Sequence, residues 1–128
     1  MHARLPAPTT RHWLVPFACA LTLLAGCGGS APIERATLVA RAATFSPVDP
    51  KLADLYQHSC KACHIVVTSG APLSGDRDAW QPRMKKGLPT LVNNAIIGLN
   101  GMPAGGQCVR CTTEDYRLLI RFMAGESP

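Results

Sequence analysis

The 128-residue chain is poor in aromatic residues, with three Phe, two Trp and two Tyr, and only 16% of its residues are charged. The few aromatics are not interleaved with basic residues in a stripe, which argues against a nucleic-acid partner. No acidic residue occurs before Glu34. The longest apolar run, "WLVPFACALTLLAG" from Trp13 to Gly26, has 14 residues and is too short to span a bilayer as a mature helix. No stretch alternates convincingly between apolar and polar residues with period two, so the expected class is all-α. No internal repeat is visible, and the length leaves room for one domain and excludes a large enzyme.

What is present at the N-terminus is an export pattern. Arg4 and Arg11 precede the apolar run, which has signal-peptide length. The run ends in Leu24-Ala25-Gly26-Cys27, which resembles the bacterial lipobox, where the cysteine after the cut is lipidated. The alternative is an ordinary cleaved signal with a spare cysteine. Residues 1–26 are therefore expected to be a lipoprotein-type signal peptide. Their removal takes away Arg4 and Arg11 and no acid, so 13 basic and 8 acidic residues become 11 and 8, a net charge of +3. Export places the protein outside the cytoplasm, in the periplasm and anchored through Cys27, and Gly28 rather than aspartate after that cysteine leans toward the outer membrane. Disulfides persist in such a compartment.

Residues 27–48, rich in Gly, Ala, Ser and Pro, read as a lipid-anchored flexible tether with an r.m.s. reach of roughly 25 Å. The alternative is that "IERATLVARAA" forms a helix of its own; both readings leave it outside the core. The folded domain is expected over 49–128, opening with Asp49 as N-cap and Pro50 at the first helical position. That helix, with Leu52, Leu55 and Tyr56 on one face, runs into "CKACH". A second helical stretch lies around "RDAWQPRMKK", with Pro82 as a kink or restart and Gly87 as its end. A third is "LPTLVNNAII", closed by Gly98. The last begins at Thr112 or Thr113, carries Tyr116, Leu119, Ile120 and Met123 at i, i+3, i+4, i+7, and stops at Gly125. About four short helices over so few residues bury little apolar surface, so something must complete the core.

Cys60-Lys61-Ala62-Cys63-His64 supplies the candidate. C-x-x-C-H is the haem c attachment pattern, because two thiols three residues apart reach two vinyl groups on one porphyrin edge while the next residue turns under the iron. His64 would bind iron through one ring nitrogen and donate the other N–H to a carbonyl. A disulfide with a bystander histidine is the bland reading. For the sixth iron position Met84 is flanked by Arg83 and Lys85, and Met123 falls on the core stripe of the last helix. Met102 lies in "GLNGMPAGG", where glycines let backbone approach a flat cofactor and Pro103 stiffens the loop. His58, six residues before His64, reads as a surface side chain.

"CKACH", the "GMP" loop and the flanking helices resemble the class I monohaem c-type cytochromes. "SGDRDAWQPRMKKG", "NNAIIGLNGMPAGGQCVRC" and "EDYRLLIRFM" follow the motif order of the cytochrome c5 group, including its extra cysteine pair. The resemblance covers about Pro50 to Ala124. It implies the cytochrome c fold around one covalently attached haem c, with Cys60 and Cys63 as thioether positions and His64 and Met102 as axial ligands. It also implies that Pro72 offers its carbonyl to His64 and that Trp80 and Arg83 lie near the haem propionates, although Trp80 serves equally as core packing.

The expected function is one-electron transfer by a monomer that is not an enzyme, between redox partner proteins such as a respiratory dehydrogenase as donor and a haem-copper terminal oxidase as acceptor. Lys61, Lys85 and Lys86 belong to the rim of the docking surface or to a solvated face. A haem peroxidase or ligand sensor with a labile sixth position is the alternative, for which no distal His/Arg pair is evident. The second pair, Cys108 and Cys111, precedes a helix and flanks Arg110, as a thiol-disulfide exchange site would, but lacks a preceding strand. Zinc would need two more ligands, and only His58 is left. Since Thr112 stands where a histidine would follow, the pair holds no second haem, and in an exported chain its thiols are expected to form a disulfide.

Overall fold

The computed structural model describes residues 32–126. The expected signal peptide, the lipidation site Cys27 and the first part of the tether lie outside the described residues. Among those described, the fold is all-helical: α1 Pro32–Thr44, α2 Pro50–His58, α3 Lys61–His64, α4 Arg77–Met84, α5 Leu88–Ile97 and α6 Thr113–Met123, with 3-10 turns at Val67–Ser69 and Ala104–Gln107. None of these helices is long and apolar enough to cross a membrane.

Local chemistry explains most of the boundaries. The Asp49 side chain accepts from the Leu52 N–H at 2.8 Å, and Pro50 occupies the first position of α2, where its missing N–H costs nothing. α2 does not run unbroken into "CKACH". Ser59 leaves helical geometry and its hydroxyl donates to the Leu55 carbonyl, a competition with the backbone that serine favours, and the chain turns helical again at Lys61. Asp76 caps α4, which passes through Pro82 and ends at Met84, so Lys85 and Lys86 fall outside it. Thr112 and Asp115 form a reciprocal capping box at the start of α6.

The core forms where α6 meets α2 and α5. α6 buries Tyr116, Leu119, Ile120, Phe122 and Met123, against Leu52, Leu55 and Tyr56 of α2 and Leu91, Val92 and Ala95 of α5. Tyr56 meets the Phe122 ring edge-on at 5.1 Å, and its hydroxyl donates to Ser74 Oγ at 2.8 Å.

In the segment read as a flexible tether, the alternative reading of "IERATLVARAA" as a helix holds, as α1, but its end does not stay outside the core. Pro32 opens the helix, Glu34 lies in its positive first turn and Arg41 in its last. Ala42 is fully buried, and Phe45 stacks on Phe122 with ring centroids 4.4 Å apart. Covering an aromatic ring contributes about 1–2 kcal/mol, enough to offset the ordering of a residue or so of backbone. A composition-based reading of 27–48 misses this because one phenylalanine decides it.

Candidate functional site

"CKACH" places its side chains by being a single helical turn. Cys60 precedes α3, Cys63 and His64 close it, and the His64 N–H bonds to the Cys60 carbonyl at 3.0 Å. His64 is buried, Cys60 half-buried and Cys63 exposed; both cysteines are free thiols. Burial pushes the Cys60 thiol pKa above its ordinary value.

His64 is held at its backbone and at its ring. Its Nδ1 lies 2.8 Å from the Pro72 carbonyl. A carbonyl oxygen can only accept, so Nδ1 carries a proton, and in the neutral ring Nε2 then keeps its lone pair, the tautomer a metal ligand needs. The Ser74 N–H donates to the His64 carbonyl at 2.7 Å. Burial holds the imidazole pKa below its usual value, with the Arg83 charge acting in the same direction and the Pro72 bond opposing them. The Trp80 ring is roughly parallel to that of His64, with centroids 5.7 Å apart.

His64, Cys60 and Cys63 line a cavity of about 220 Å³, shared with Pro72, Trp80 and Met102. Its apolar wall comes from Leu91 and Ala95 of α5 and Leu119, Ile120 and Met123 of α6. Thus Met123 also reaches the cavity, as a buried member of the core, whereas Met84 does not line it. His58 is exposed and pairs with Asp54. Trp80 is buried, and its indole N–H donates to the Leu73 carbonyl at 2.8 Å, so that donor is not left for a propionate. Arg83 lines the cavity from an exposed position, with its guanidinium bonded to the Ala79 carbonyl.

Met102 is positioned by backbone rather than by a helix. Leu99 and Met102 exchange both main-chain bonds, at 3.0 and 2.9 Å, closing a tight turn through Asn100 at φ 54°. Gly98, at φ 88°, has no room for a side chain: a Cβ there would lie 3.0 Å from both the Met102 carbonyl oxygen and the Ala104 nitrogen. A Cβ on Gly106 would meet the Met102 methyl at 2.8 Å. Beyond this loop Cys108 and Cys111 are joined in a disulfide, their Cα atoms 5.4 Å apart. Cys108 is buried and no strand precedes the pair among the described residues.

Sequence reasoning missed the residue that fastens this loop to the core. The Tyr116 hydroxyl lies 2.9 Å from the Gly105 carbonyl and 3.1 Å from that of Cys108, a donor shared between two carbonyls. Tyr116 was legible only as part of an apolar stripe; its polar tip was the available signal.

The donor set fits haem c. Two free thiols three residues apart stand beside a buried imidazole, in a cavity with a largely apolar wall that also holds a thioether. Comparison with known proteins agrees. The family model described as "Cytochrome C oxidase, cbb3-type, subunit III" matches residues 49–123. Cytochrome c5 of Ectopseudomonas mendocina is 38% identical over an alignment of 74 residues that covers 56% of this chain and 85% of that protein. Cytochrome c-555 of Chlorobaculum tepidum is 38% identical over 76 residues, 56% of this chain and 70% of its own. A solved chain from a structure titled "Crystal structure of electron transfer complex of nitrite reductase with cytochrome c" superposes with a TM-score of 0.54 at 28% identity, covering 62% of this chain and all of that one. The chain therefore belongs to the cytochrome c family that this model represents, as a small class I monohaem electron carrier akin to cytochromes c5 and c-555, with one covalently attached haem c.

Proposed function

We propose that the protein is a lipid-anchored periplasmic carrier that passes single electrons between respiratory proteins. The observation that carries this reading is the buried, tautomer-fixed His64 sharing one apolar cavity with Met102, Cys60 and Cys63. Cys60 and Cys63 would attach the haem through thioether bonds, and His64 and Met102 would bind its iron. Bound haem supplies an iron that gains and loses one electron. His64, oriented by Pro72, offers Nε2 without rotating. Met102, set by a turn that Gly98 and Gly106 let pack closely, would offer a soft thioether that favours the reduced state. The apolar wall adds to this preference, because it disfavours an extra positive charge. If His64 and Met102 both bound the haem iron, their fixed placement would limit rearrangement when an electron is gained or lost, which suits a carrier better than an enzyme.

The structural neighbour's title names a nitrite reductase complex, which supports docking on redox proteins in general. For this chain the donor is a respiratory dehydrogenase and the acceptor a haem-copper oxidase or a reductase, met through small, transient interfaces. Lipid on Cys27 keeps the domain at a membrane, with Gly28 favouring the outer one.

Oxidised and reduced visible spectra of the membrane-extracted protein test the reading. A low-spin spectrum is expected, with a weak methionine-to-iron band that Met102→Ala removes. Rapid carbon monoxide binding to the reduced wild type would overturn Met102 ligation and point to a ligand sensor or peroxidase. Cys27→Ala should move the protein from the membrane to the soluble fraction.

A further inference from the structure

We propose that Phe45, at the end of α1, is a positioning residue for His64: it braces the Leu73–Gly75 segment that fastens the histidine. The inference rests on His64 being the iron ligand and adds an element outside residues 49–123, the span of the family match.

Every residue from Pro72 to Gly75 is tied down. Pro72 accepts from His64 Nδ1, Leu73 from the Trp80 indole, and Ser74 binds both the His64 carbonyl and the Tyr56 hydroxyl. Gly75 donates to the Met123 carbonyl at 2.7 Å. The side of Gly75 where a Cβ would point is closed by Phe45, whose ring atoms would lie 3.6 to 3.8 Å from it. The same ring stacks on Phe122, so Phe45 contacts both the segment behind His64 and α6. Farther up α1, Arg35 and Leu38 line a second cavity, of about 260 Å³, together with Pro72, Leu73 and Arg83. The bonds that hold the Met102 turn run elsewhere: Met102 pairs with Leu99, and Gly105, three residues on, accepts from the Tyr116 hydroxyl. Removing the Phe45 ring should therefore let water reach the His64 side while leaving the Met102 side closed.

The test is hydrogen exchange by NMR on the reduced, full-length holoprotein in detergent, comparing wild type with Phe45→Ala. The Ser74 and Gly75 amides and the His64 Nδ1 proton should exchange about tenfold faster or more, and the Met102 amide within about twofold of wild type. Phe45→Leu should recover most of the protection, and Val48→Ala, at a 98% exposed neighbour, should change nothing. Equal acceleration on both sides would mean general destabilisation and overturn the proposal, as would no change. Should Phe45→Ala fail to accumulate with haem, Phe45→Val, which fills less of the ring's space than leucine, takes its place: selective acceleration on the His64 side supports the brace, and a uniform or absent change refutes it. A wild type without a His/Met low-spin spectrum would instead sink the functional reading, before any variant is compared.

Discussion

The His64 and Met102 sides of the cavity are held by different means. His64 sits on a helical turn, and its immobility comes from directed bonds: Nδ1 to Pro72, the carbonyl to Ser74, and then Leu73 to Trp80. Met102 sits on a loop, and its position depends on close backbone packing: Gly98 and Gly106, where a Cβ would crowd the turn or the Met102 methyl, the two Leu99–Met102 bonds, and a tyrosine and a disulfide that fasten the chain between Gly105 and Cys111. A ligand on a network resists small losses because its bonds are several. A ligand on a loop depends on a few backbone positions, so the Met102 side should yield first.

The largest effect on that contrast should come from Gly98→Ala. With φ at 88° and backbone atoms 3.0 Å from the new Cβ, the turn must shift, at a cost of roughly 2–4 kcal/mol. The methionine-to-iron band should weaken while haem stays attached, and an unchanged band and denaturation midpoint would show that the turn is not sterically set. Next comes Cys108→Ser with Cys111→Ser. The ring is short, so its loss costs about 2 kcal/mol or less in chain entropy, and the effect should be local. Haem should be retained and Met102 should detach under mild denaturant; persistence of Met ligation there would refute the disulfide's role as a clasp for the loop. Tyr116→Phe leaves the Gly105 and Cys108 carbonyls without that donor, a loss of about 1–2 kcal/mol. Its signature is faster Met102 release at unchanged His64 exchange, measured in the same NMR experiment.

The effect that bears least on that contrast is the pH dependence of the α6 terminus. The Lys51 ammonium, 2.6 Å from Asp115, and the Thr112 N–H and hydroxyl hold the Asp115 pKa down to about 2. Its unfolded value is near 3.9. The contribution is therefore complete above about pH 4 and is lost as pH falls toward 2. Thermal unfolding of Asp115→Asn should show a shallower acid dependence than wild type over that window, and parallel curves would remove Asp115 as the cause.

Much of the site could be read without the fold because its signals are local. C-x-x-C-H spans five residues, Asp49-Pro50 and Thr112-x-x-Asp115 announce helix starts within one turn, and the "GLNGMPAGG" glycines singled out Met102 among four methionines. The C-terminal stripe also put Tyr116, Leu119, Ile120 and Met123 on one face, where the core lies. The role of Pro72 came only from family resemblance, since nothing in "SGAPLSGD" announces a carbonyl aimed eight residues back.

By itself, then, the sequence determined the cofactor chemistry, the all-α class and most helix starts, because thiol spacing, capping and apolar period act over a few bonds. Only the tertiary structure decided how the ligands are held. It directed the Trp80 N–H to Leu73, hung the Met102 loop from Tyr116, broke the helix at Ser59, and drew Phe45 out of the supposed tether onto Gly75 and Phe122. The Phe45 contacts join residues 30 and 77 positions apart. Contacts at that range depend on how whole elements pack, and local pattern does not encode them.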